Sequence, residues 1–332
     1  MKKVRWGLVS TARINSRLIP AIRASQNGEL SAVASRERKN ADRYAKEWGI
    51  PNTFGSYEAM LASDMVDVVY ISLPNHLHKE WSVKAMQAGK HVLCEKPFAL
   101  SMQEVDEMLA VSKKTGCRLA EAFMYRHHPQ TKVVGDLVRK GKVGDVSVVR
   151  GVFNFKITDD YDVRKVPEFG GGALWDVGVY PMSYTQFIMG GAPKEVNGFQ
   201  FIGKEGVDMT FVGNLHFSGD RLGQISCSFS TPQYTSFEII GTRGRIEINC
   251  PFINIAEHGK ILFYKGDDES KGVPEEIDFP KKELYLGEVE DMNDAILEGK
   301  PNYLDLQETR SHVQTILALY KAAQTRTSVK LE

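Results

Sequence analysis

Short apolar segments alternate with helix-like segments over the first third of the chain. The apolar segments are residues 4–9, 30–34, 66–72, 91–94 and 118–122. The third of them, residues 66–72, is rich in β-branched residues, as a strand buried on both faces is. Apolar side chains recur at helical spacing in the segments between them, residues 14–24, 40–48, 57–62, 77–88 and 101–114. This alternation of strands and helices predicts a doubly wound domain with a parallel sheet.

The pattern changes after Tyr125. Apolar residues then alternate with polar ones over longer segments such as 146–157, 209–217 and 222–229, which predicts antiparallel strands. Helical patterns occur at residues 130–140, 172–189, 289–297 and 305–326. We therefore predict an α/β protein with two domains. Residues 1–123 form the doubly wound parallel sheet, and residues 124–332 form an α+β domain with a large, mostly antiparallel, open sheet.

Composition and charge exclude several classes of protein. Hydrophobic residues make up 42% and charged residues 25% of the chain, which is a globular rather than a disordered or fibrous composition. The 42 Lys and Arg residues balance the 42 Asp and Glu residues, so no excess of positive charge is present to neutralise nucleic-acid phosphates. The apolar segments are far shorter than the about 20 residues that cross a bilayer. We expect neither a nucleic acid nor a membrane as a partner.

The N-terminus and the cysteines favour a cytoplasmic location. Val4 opens a predicted strand without the apolar segment of a secretory signal. The four cysteines contain no Cys-x-x-Cys pair, so we expect reduced thiols. His76 and His78 have no third ligand at a spacing typical of zinc, and no metal site is predicted.

The loop after the first strand, residues 7–14, lies where dinucleotide-binding folds carry Gly-x-Gly-x-x-Gly. Only Gly7 matches this fingerprint. Ser10 and Ala12 are small enough to let the backbone approach a pyrophosphate, and Thr11 adds a hydroxyl donor. A tight turn that binds no ligand explains these residues about equally well.

The end of the second strand gives information about the cofactor. An NAD enzyme needs an acidic residue there to hold the ribose hydroxyls. This chain has Arg36 and Arg38 instead, whose guanidinium groups, helped by the Ser35 hydroxyl, can bind a 2′-phosphate. The sequence therefore predicts NADP as cofactor, with NAD possible. A solvated basic start of the next helix is the alternative interpretation.

Three further motifs follow in order along the chain. They are Pro74-Asn75 before His78, Glu95-Lys96-Pro97, and Gly170-Gly171-Gly172 before Asp176 and Tyr180. Together they resemble the motifs of the Gfo/Idh/MocA oxidoreductases, and the resemblance spans both predicted domains. Trp6-Gly7 and Tyr180 resemble most the branch that contains dihydrodiol dehydrogenases, NADP-dependent xylose dehydrogenases and glucose-fructose oxidoreductase.

The resemblance implies a Rossmann cofactor domain followed by a domain for substrate binding and oligomerisation. It implies that Lys96 is the catalytic lysine, with Asp176 and Tyr180 beside it over the nicotinamide. Together with the loop residues above, the predicted cofactor contacts are Gly7, Ser10, Thr11, Ala12, Arg13, Ile14, Ser35, Arg36, Arg38, Leu73, Pro74, Asn75, His78, Glu95, Lys96 and Arg164. The predicted substrate contacts are Met124, Arg126, Asp176 and Tyr180.

The residue types agree with proton transfer at a hydroxyl group. Asp176 and Tyr180 are four residues apart on one predicted helix, so they share a face. A nearby lysine ammonium favours the phenolate of tyrosine, whose pKa is otherwise about 10. Lys96 could itself carry the proton instead, and the sequence does not separate the two schemes.

The sequence therefore predicts an NADP-dependent oxidoreductase that moves a hydride to or from a carbinol carbon. A sugar, a polyol or a cyclic diol is the expected substrate. The alternatives are a non-catalytic NADP-binding sensor or partner protein, and an enzyme that couples two sugars by recycling bound NADP in one site. The open antiparallel sheet predicts a homodimer or homotetramer formed through that sheet.

Overall fold

The computed structural model describes residues 3–159, 161–266 and 272–331. The chain forms two compact units, and each is assembled from two separate segments. The first unit contains Met1–His127 and Tyr285–Arg310, and the second contains His128–Leu284 and Ser311–Glu332.

The described residues form fifteen strands and eleven α-helices. The strands are β1 (Val4–Val9), β2 (Gly28–Ala34), β3 (Asn52–Phe54), β4 (Val68–Ile71), β5 (His91–Glu95), β6 (Leu119–Ala122), β7 (Val146–Asn154), β8 (Glu195–Ile202), β9 (Asp208–His216), β10 (Leu222–Ser228), β11 (Tyr234–Gly241), β12 (Gly244–Asn249), β13 (Lys260–Lys265), β14 (Glu275–Glu276) and β15 (Val329–Lys330). The α-helices are α1 (Asn15–Ala24), α2 (Arg38–Trp48), α3 (Tyr57–Leu61), α4 (His78–Gln87), α5 (Met102–Thr115), α6 (Met124–His127), α7 (Pro129–Arg139), α8 (Val179–Met189), α9 (Ile255–His258), α10 (Leu286–Leu297) and α11 (Leu306–Thr325).

The first unit contains a parallel sheet with strand order β3-β2-β1-β4-β5-β6. All four residues of β4 are buried, as expected for a strand covered on both faces. The doubly wound parallel sheet predicted from the sequence is therefore confirmed. The short strand β3, whose residues are only half-buried, was not predicted.

The first unit extends beyond the residues that the sequence pattern gave to it. Residues 285–310 belong to this unit, whereas the predicted division places everything after residue 123 in the second domain. The physical reason is a buried hydrogen bond, in which Trp6 Nε1 on β1 donates to Asn293 Oδ1 on α10 at 3.0 Å. The Asn293 amide in turn donates to Ser25 Oγ at 2.9 Å.

The second unit contains a nine-stranded sheet in the order β14-β13-β12-β11-β7-β10-β9-β8-β15. Its pairs are antiparallel except for β7 with β10, which are parallel. Phe211, Ile225 and Phe237 point to the buried side of this sheet, the side on which α8 packs against β7. The mostly antiparallel open sheet predicted from the alternation is confirmed.

No helix among the described residues combines the length and apolar character that a bilayer crossing requires.

Candidate active site

In the sheet of the first unit, β2 and β3 extend from one side of β1, and β4, β5 and β6 extend from the other side. The direction in which strands are added therefore changes between β1 and β4. Their last residues, Val9 and Ile71, are register partners, and the chain turns away from the sheet just beyond them. Ser10 and Ser72 follow, and their hydroxyl oxygens are 3.0 Å apart. Ligands of open α/β sheets bind at such a switch point, outside the carboxyl ends of the strands.

Ser10 has a backbone conformation that normally requires glycine. Its φ is +109°, a region that L-residues rarely adopt and that costs backbone free energy. The Ser10 hydroxyl accepts a hydrogen bond from Ala12 N at 3.2 Å. The turn thus has the shape of a glycine turn although the fingerprint glycine is replaced.

The β1–α1 turn fits the pyrophosphate of a dinucleotide. Helix α1 begins at Asn15, and within the described residues the backbone N–H groups of Arg13 and Ile14 have no acceptor. Free N–H groups and the positive end of the helix dipole favour a bound anion. Gly7 contributes by packing, because a Cβ there would lie 2.8 Å from Val66 Cγ1.

The two arginines that are predicted to bind a phosphate after β2 have different surroundings. Arg38 forms an ion pair with Asp42 at 3.0 Å, and Asp42 also accepts from the Thr53 hydroxyl at 2.6 Å. Arg36 is exposed and has no ion-pair partner within the described ranges of the chain. Ser35 is buried, with its N–H bonded to Phe54 O at 3.1 Å. Arg36 is therefore the better placed cation for a 2′-phosphate.

Lys96 lies in a loop that follows β5 and is fixed on both sides. The Tyr70 hydroxyl donates to Glu95 Oε1, and the other Glu95 oxygen accepts from Lys96 N at 3.2 Å. On the far side, Phe98 N donates to Glu121 Oε1 at 3.1 Å. Glu95 therefore holds the loop that presents Lys96.

His78 connects this loop to the one that follows β4. Its Nε2 lies 2.8 Å from Leu73 O, and its Nδ1 lies 2.8 Å from Pro97 O. Burial lowers the pKa of His78 to about 4, so the ring is neutral at pH 7 and donates only one of these bonds. Both nitrogens face backbone, so the ring positions the loops of Leu73-Pro74-Asn75 and Lys96-Pro97.

The helix predicted at residues 172–189 begins with one wide turn. Leu174–Gly178 is a π-helix, and it continues as α8. Such π turns occur frequently at functional sites. Asp176 lies in the π turn and Tyr180 in the first turn of α8, so both candidate side chains depend on the same short segment.

Asp176 has a cationic partner that the sequence did not reveal. Arg164 Nε lies 2.8 Å from Asp176 Oδ2, and Arg164 also pairs with Asp162 at 3.1 Å. The negative charge of Asp176 raises the pKa of Arg164, so the guanidinium stays charged. Arg164, predicted as a cofactor contact, is placed by the structure as the partner that holds Asp176.

Tyr180 is held by aromatic neighbours. Its ring centroid lies 5.2 Å from that of Phe153 and 5.6 Å from that of Phe252. The ring is largely buried, with 6% of the residue exposed. These contacts fix the direction of the phenol hydroxyl.

The two predicted substrate residues after β6 are buried. Met124 is in the core, and Arg126 is 1% exposed. The Arg126 guanidinium is bound by Glu308 in the first turn of α11. This ion pair holds the guanidinium against the start of α11, and the substrate role of Met124 and Arg126 stays a prediction. Among the residues that the structure describes, no group of three or more His, Cys, Asp or Glu side chains could hold a metal ion.

Comparison with known proteins places the chain in a family. Residues 4–123 match the Gfo/Idh/MocA oxidoreductase family with an NAD-binding Rossmann fold, and residues 131–247 match the C-terminal domain of that family. D-xylose 1-dehydrogenase (NADP(+)) 2 of Haloferax volcanii is 36% identical over 330 residues, 98% of this chain and 99% of that protein.

Two further relatives are similar. The trans-1,2-dihydrobenzene-1,2-diol dehydrogenase of Xenopus laevis is 32% identical over 249 residues, 74% of either chain. The crystal structure of a 3-ketoreductase from Actinomadura kijaniata, in complex with NADP and TDP-benzene, has a TM-score of 0.90 and 27% identity. The alignment covers 97% of this chain and 98% of that one.

The fold and these relatives define an enzyme, an NAD(P)-dependent dehydrogenase or reductase that acts on CH–OH groups. The chain belongs to the Gfo/Idh/MocA oxidoreductase family. The family and branch predicted from the motifs are confirmed. The relatives named here are catalysts, and they give no support to the sensor alternative.

Proposed function

We propose that the protein transfers a hydride between the nicotinamide of NADP and a carbinol carbon of a sugar, a polyol or a cyclic diol. The observation that carries this proposal is the fixed loop of Lys96 at the carboxyl end of β5, in the sheet whose β1–α1 turn fits a pyrophosphate. The similarity to a xylose dehydrogenase over 98% of the chain supports the substrate class.

The chemistry divides between the cofactor and the side chains. When bound, the nicotinamide supplies or accepts the hydride at C4. We assign the proton of the substrate hydroxyl to Tyr180 or Lys96. In oxidation this base takes the proton as the C–H bond breaks and the C=O bond forms. Asp176, held by Arg164 at 2.8 Å, would orient the hydroxyl and its base.

A turnover assay tests the proposed function and the preference for NADP together. Wild-type protein is given aldoses, polyols and trans-diols with NADP⁺ or NAD⁺, and the absorbance of reduced nicotinamide is followed. We expect turnover of at least one compound and a lower KM for NADP⁺ than for NAD⁺. Arg36→Glu should raise the KM for NADP⁺ by about 10- to 100-fold, because it replaces a charge-assisted hydrogen bond with repulsion.

Arg43→Glu is the matched control, because Arg43 is an exposed arginine of α2. It should leave both KM values near those of the wild type. An Arg36→Glu protein with equal losses for NAD⁺ and NADP⁺ would contradict the assignment of Arg36. Binding of NADPH without turnover of any compound would contradict the enzyme and favour a sensor.

We also propose that the exposed side of the nine-stranded sheet binds a second copy of this chain. The outer face is defined here by the exposed side chains of Phe199, Phe201, Val212, Leu222 and Tyr234. Phe199 and Val212 are cross-strand neighbours, and Phe201 lies two residues further along β8 on the same face. These three side chains form an exposed apolar patch, and such patches can mark an interface. An identical face can cover it about a two-fold axis.

The outer face gives a direct prediction for the oligomeric state. Phe199 is 71% exposed, and Phe199→Asp should convert the wild-type dimer or tetramer to monomer at micromolar concentration, as measured by light scattering. Val273→Asp is the control, because Val273 is 95% exposed but lies outside the strands. A wild-type protein that is monomeric at this concentration would rule out the interface.

A further inference from the structure

The helix that carries Asp176 and Tyr180 is anchored at its start by a buried carboxylate. Asp208 at the beginning of β9 accepts a hydrogen bond from Leu174 N at 2.7 Å through Oδ2. Its other oxygen, Oδ1, accepts from the Tyr320 hydroxyl on α11 at 2.7 Å. Asp208 is 2% exposed. It therefore links the first residue of the π turn to a second helix of the same unit.

The glycine triplet leaves room for this carboxylate. Gly172 has a φ of +128°, and a Cβ built on it would lie 2.1 Å from Asp208 Oδ1 and 2.9 Å from the Tyr320 hydroxyl. Any larger residue would displace either group. The local sequence thus makes a narrow space in which one carboxylate meets the N-terminus of the helix.

The surroundings of Asp208 favour one ionisation step near neutral pH. Burial raises the pKa of Asp208 to about 6, although the bonds from Tyr320 and Leu174 favour the ionised form. The titratable side chains that face it are Tyr320 on α11 and Cys227 on β10, and burial raises the pKa of both. Both stay neutral at pH 7. Asp176, the next acidic residue along the helix, is paired with Arg164.

We propose that Asp208 is a positioning residue, which in its ionised form holds the π turn so that Asp176 and Tyr180 are aligned for proton transfer. This inference rests on the proposed function. A carboxylate at a helix N-terminus is stabilised by the helix dipole and by free N–H groups. Protonation removes that charge and weakens the hydrogen bond from Leu174 N. Leu174 is the first residue of the π turn that contains Asp176.

The test compares pH profiles of kcat. Asp208→Asn keeps the shape and removes the charge, so kcat should fall by about 10- to 100-fold at pH 8, as expected for loss of alignment. The acid inflection of the wild type near pH 6 should disappear, while the KM for NADP⁺ stays within about twofold. Tyr320→Phe removes a bond that favours the ionised form, so the inflection should move to higher pH.

Asp220→Asn is the matched control, because the side chain of Asp220 is 99% exposed in the β9–β10 turn. Its profile should equal that of the wild type. An Asp208→Asn protein that keeps the wild-type kcat, or that loses kcat with the inflection unmoved, would overturn the proposal. If Asp208→Asn does not fold, Tyr320→Phe decides, and an unshifted inflection overturns it. A wild type without turnover counts against the proposed function instead.

Discussion

Lys96→Ala is expected to lower kcat by about 10³-fold with the true substrate, while the affinity for NADPH remains within a few-fold of that of the wild type. A fall of this size in kcat is expected when a group that transfers the proton of the substrate hydroxyl is removed. The loop that presents Lys96 is fixed by Glu95 and Glu121 through backbone N–H groups, and these bonds survive the substitution. Steady-state kinetics and titration of NADPH fluorescence measure the two quantities.

Lys113→Ala is the control for this substitution. Lys113 is exposed in the last turn of α5, so its loss should change neither kcat nor NADPH binding. A Lys96→Ala protein with wild-type turnover would refute the assignment of Lys96. A protein that loses NADPH binding and turnover together would show that the lysine acts mainly by holding the cofactor.

Tyr180→Phe is expected to lower kcat by about 10²- to 10³-fold if the phenol carries the proton. Phenylalanine keeps the ring contacts with Phe153 and Phe252, so the melting temperature should change little. In the oxidation direction the wild-type rate above the Asp208 inflection should rise with pH as the catalytic base loses its proton, and the variant should lose this rise if the phenol is that base. Stopped-flow or steady-state rates between pH 6 and 10 give the comparison.

Tyr264→Phe controls for the loss of a phenol, because Tyr264 is a half-buried residue of β13. Its activity should be that of the wild type. If Tyr180→Phe keeps the pH-dependent rise while Lys96→Ala loses it, Lys96 is the proton carrier and the phenol only orients the substrate. The pair of variants thus separates the two schemes that the sequence left open.

The sheets could be predicted because the faces of a strand that are buried determine which of its residues are apolar. β4 is covered on both faces and appears as a continuous apolar segment, whereas β9 and β10 alternate. Contacts distant in sequence left no such pattern. Nothing near Asn293 indicates that its amide bonds to Trp6 and Ser25. For that reason the sequence pattern groups residues 285–310 with the second domain, whereas their contacts group them with the first unit.

The candidate site could be predicted where it depends on motifs. Lys96, Asp176 and Tyr180 stand in such motifs, but the Arg164 partner of Asp176 is twelve positions earlier, in a loop without periodicity. The sequence does not indicate that Asp208 is buried. Regular alternation along β9 would place its side chain on the same exposed face as that of Val212, four residues later. The pairing of β8 with β9 shifts register next to Ile202, the partner of Asp208, and this irregularity turns the carboxylate inward.

The first unit is built from two segments that are far apart in the chain, and this has a consequence for its biosynthesis. Its sheet is complete by residue 122, but Trp6 and Arg126 find their partners only in residues 285–310. At a synthesis rate of 5–20 residues per second, the ribosome needs roughly ten to forty seconds to supply that segment. During this interval the nascent sheet exposes the surface that α10 later covers, so that surface is open to chaperones that bind nascent chains.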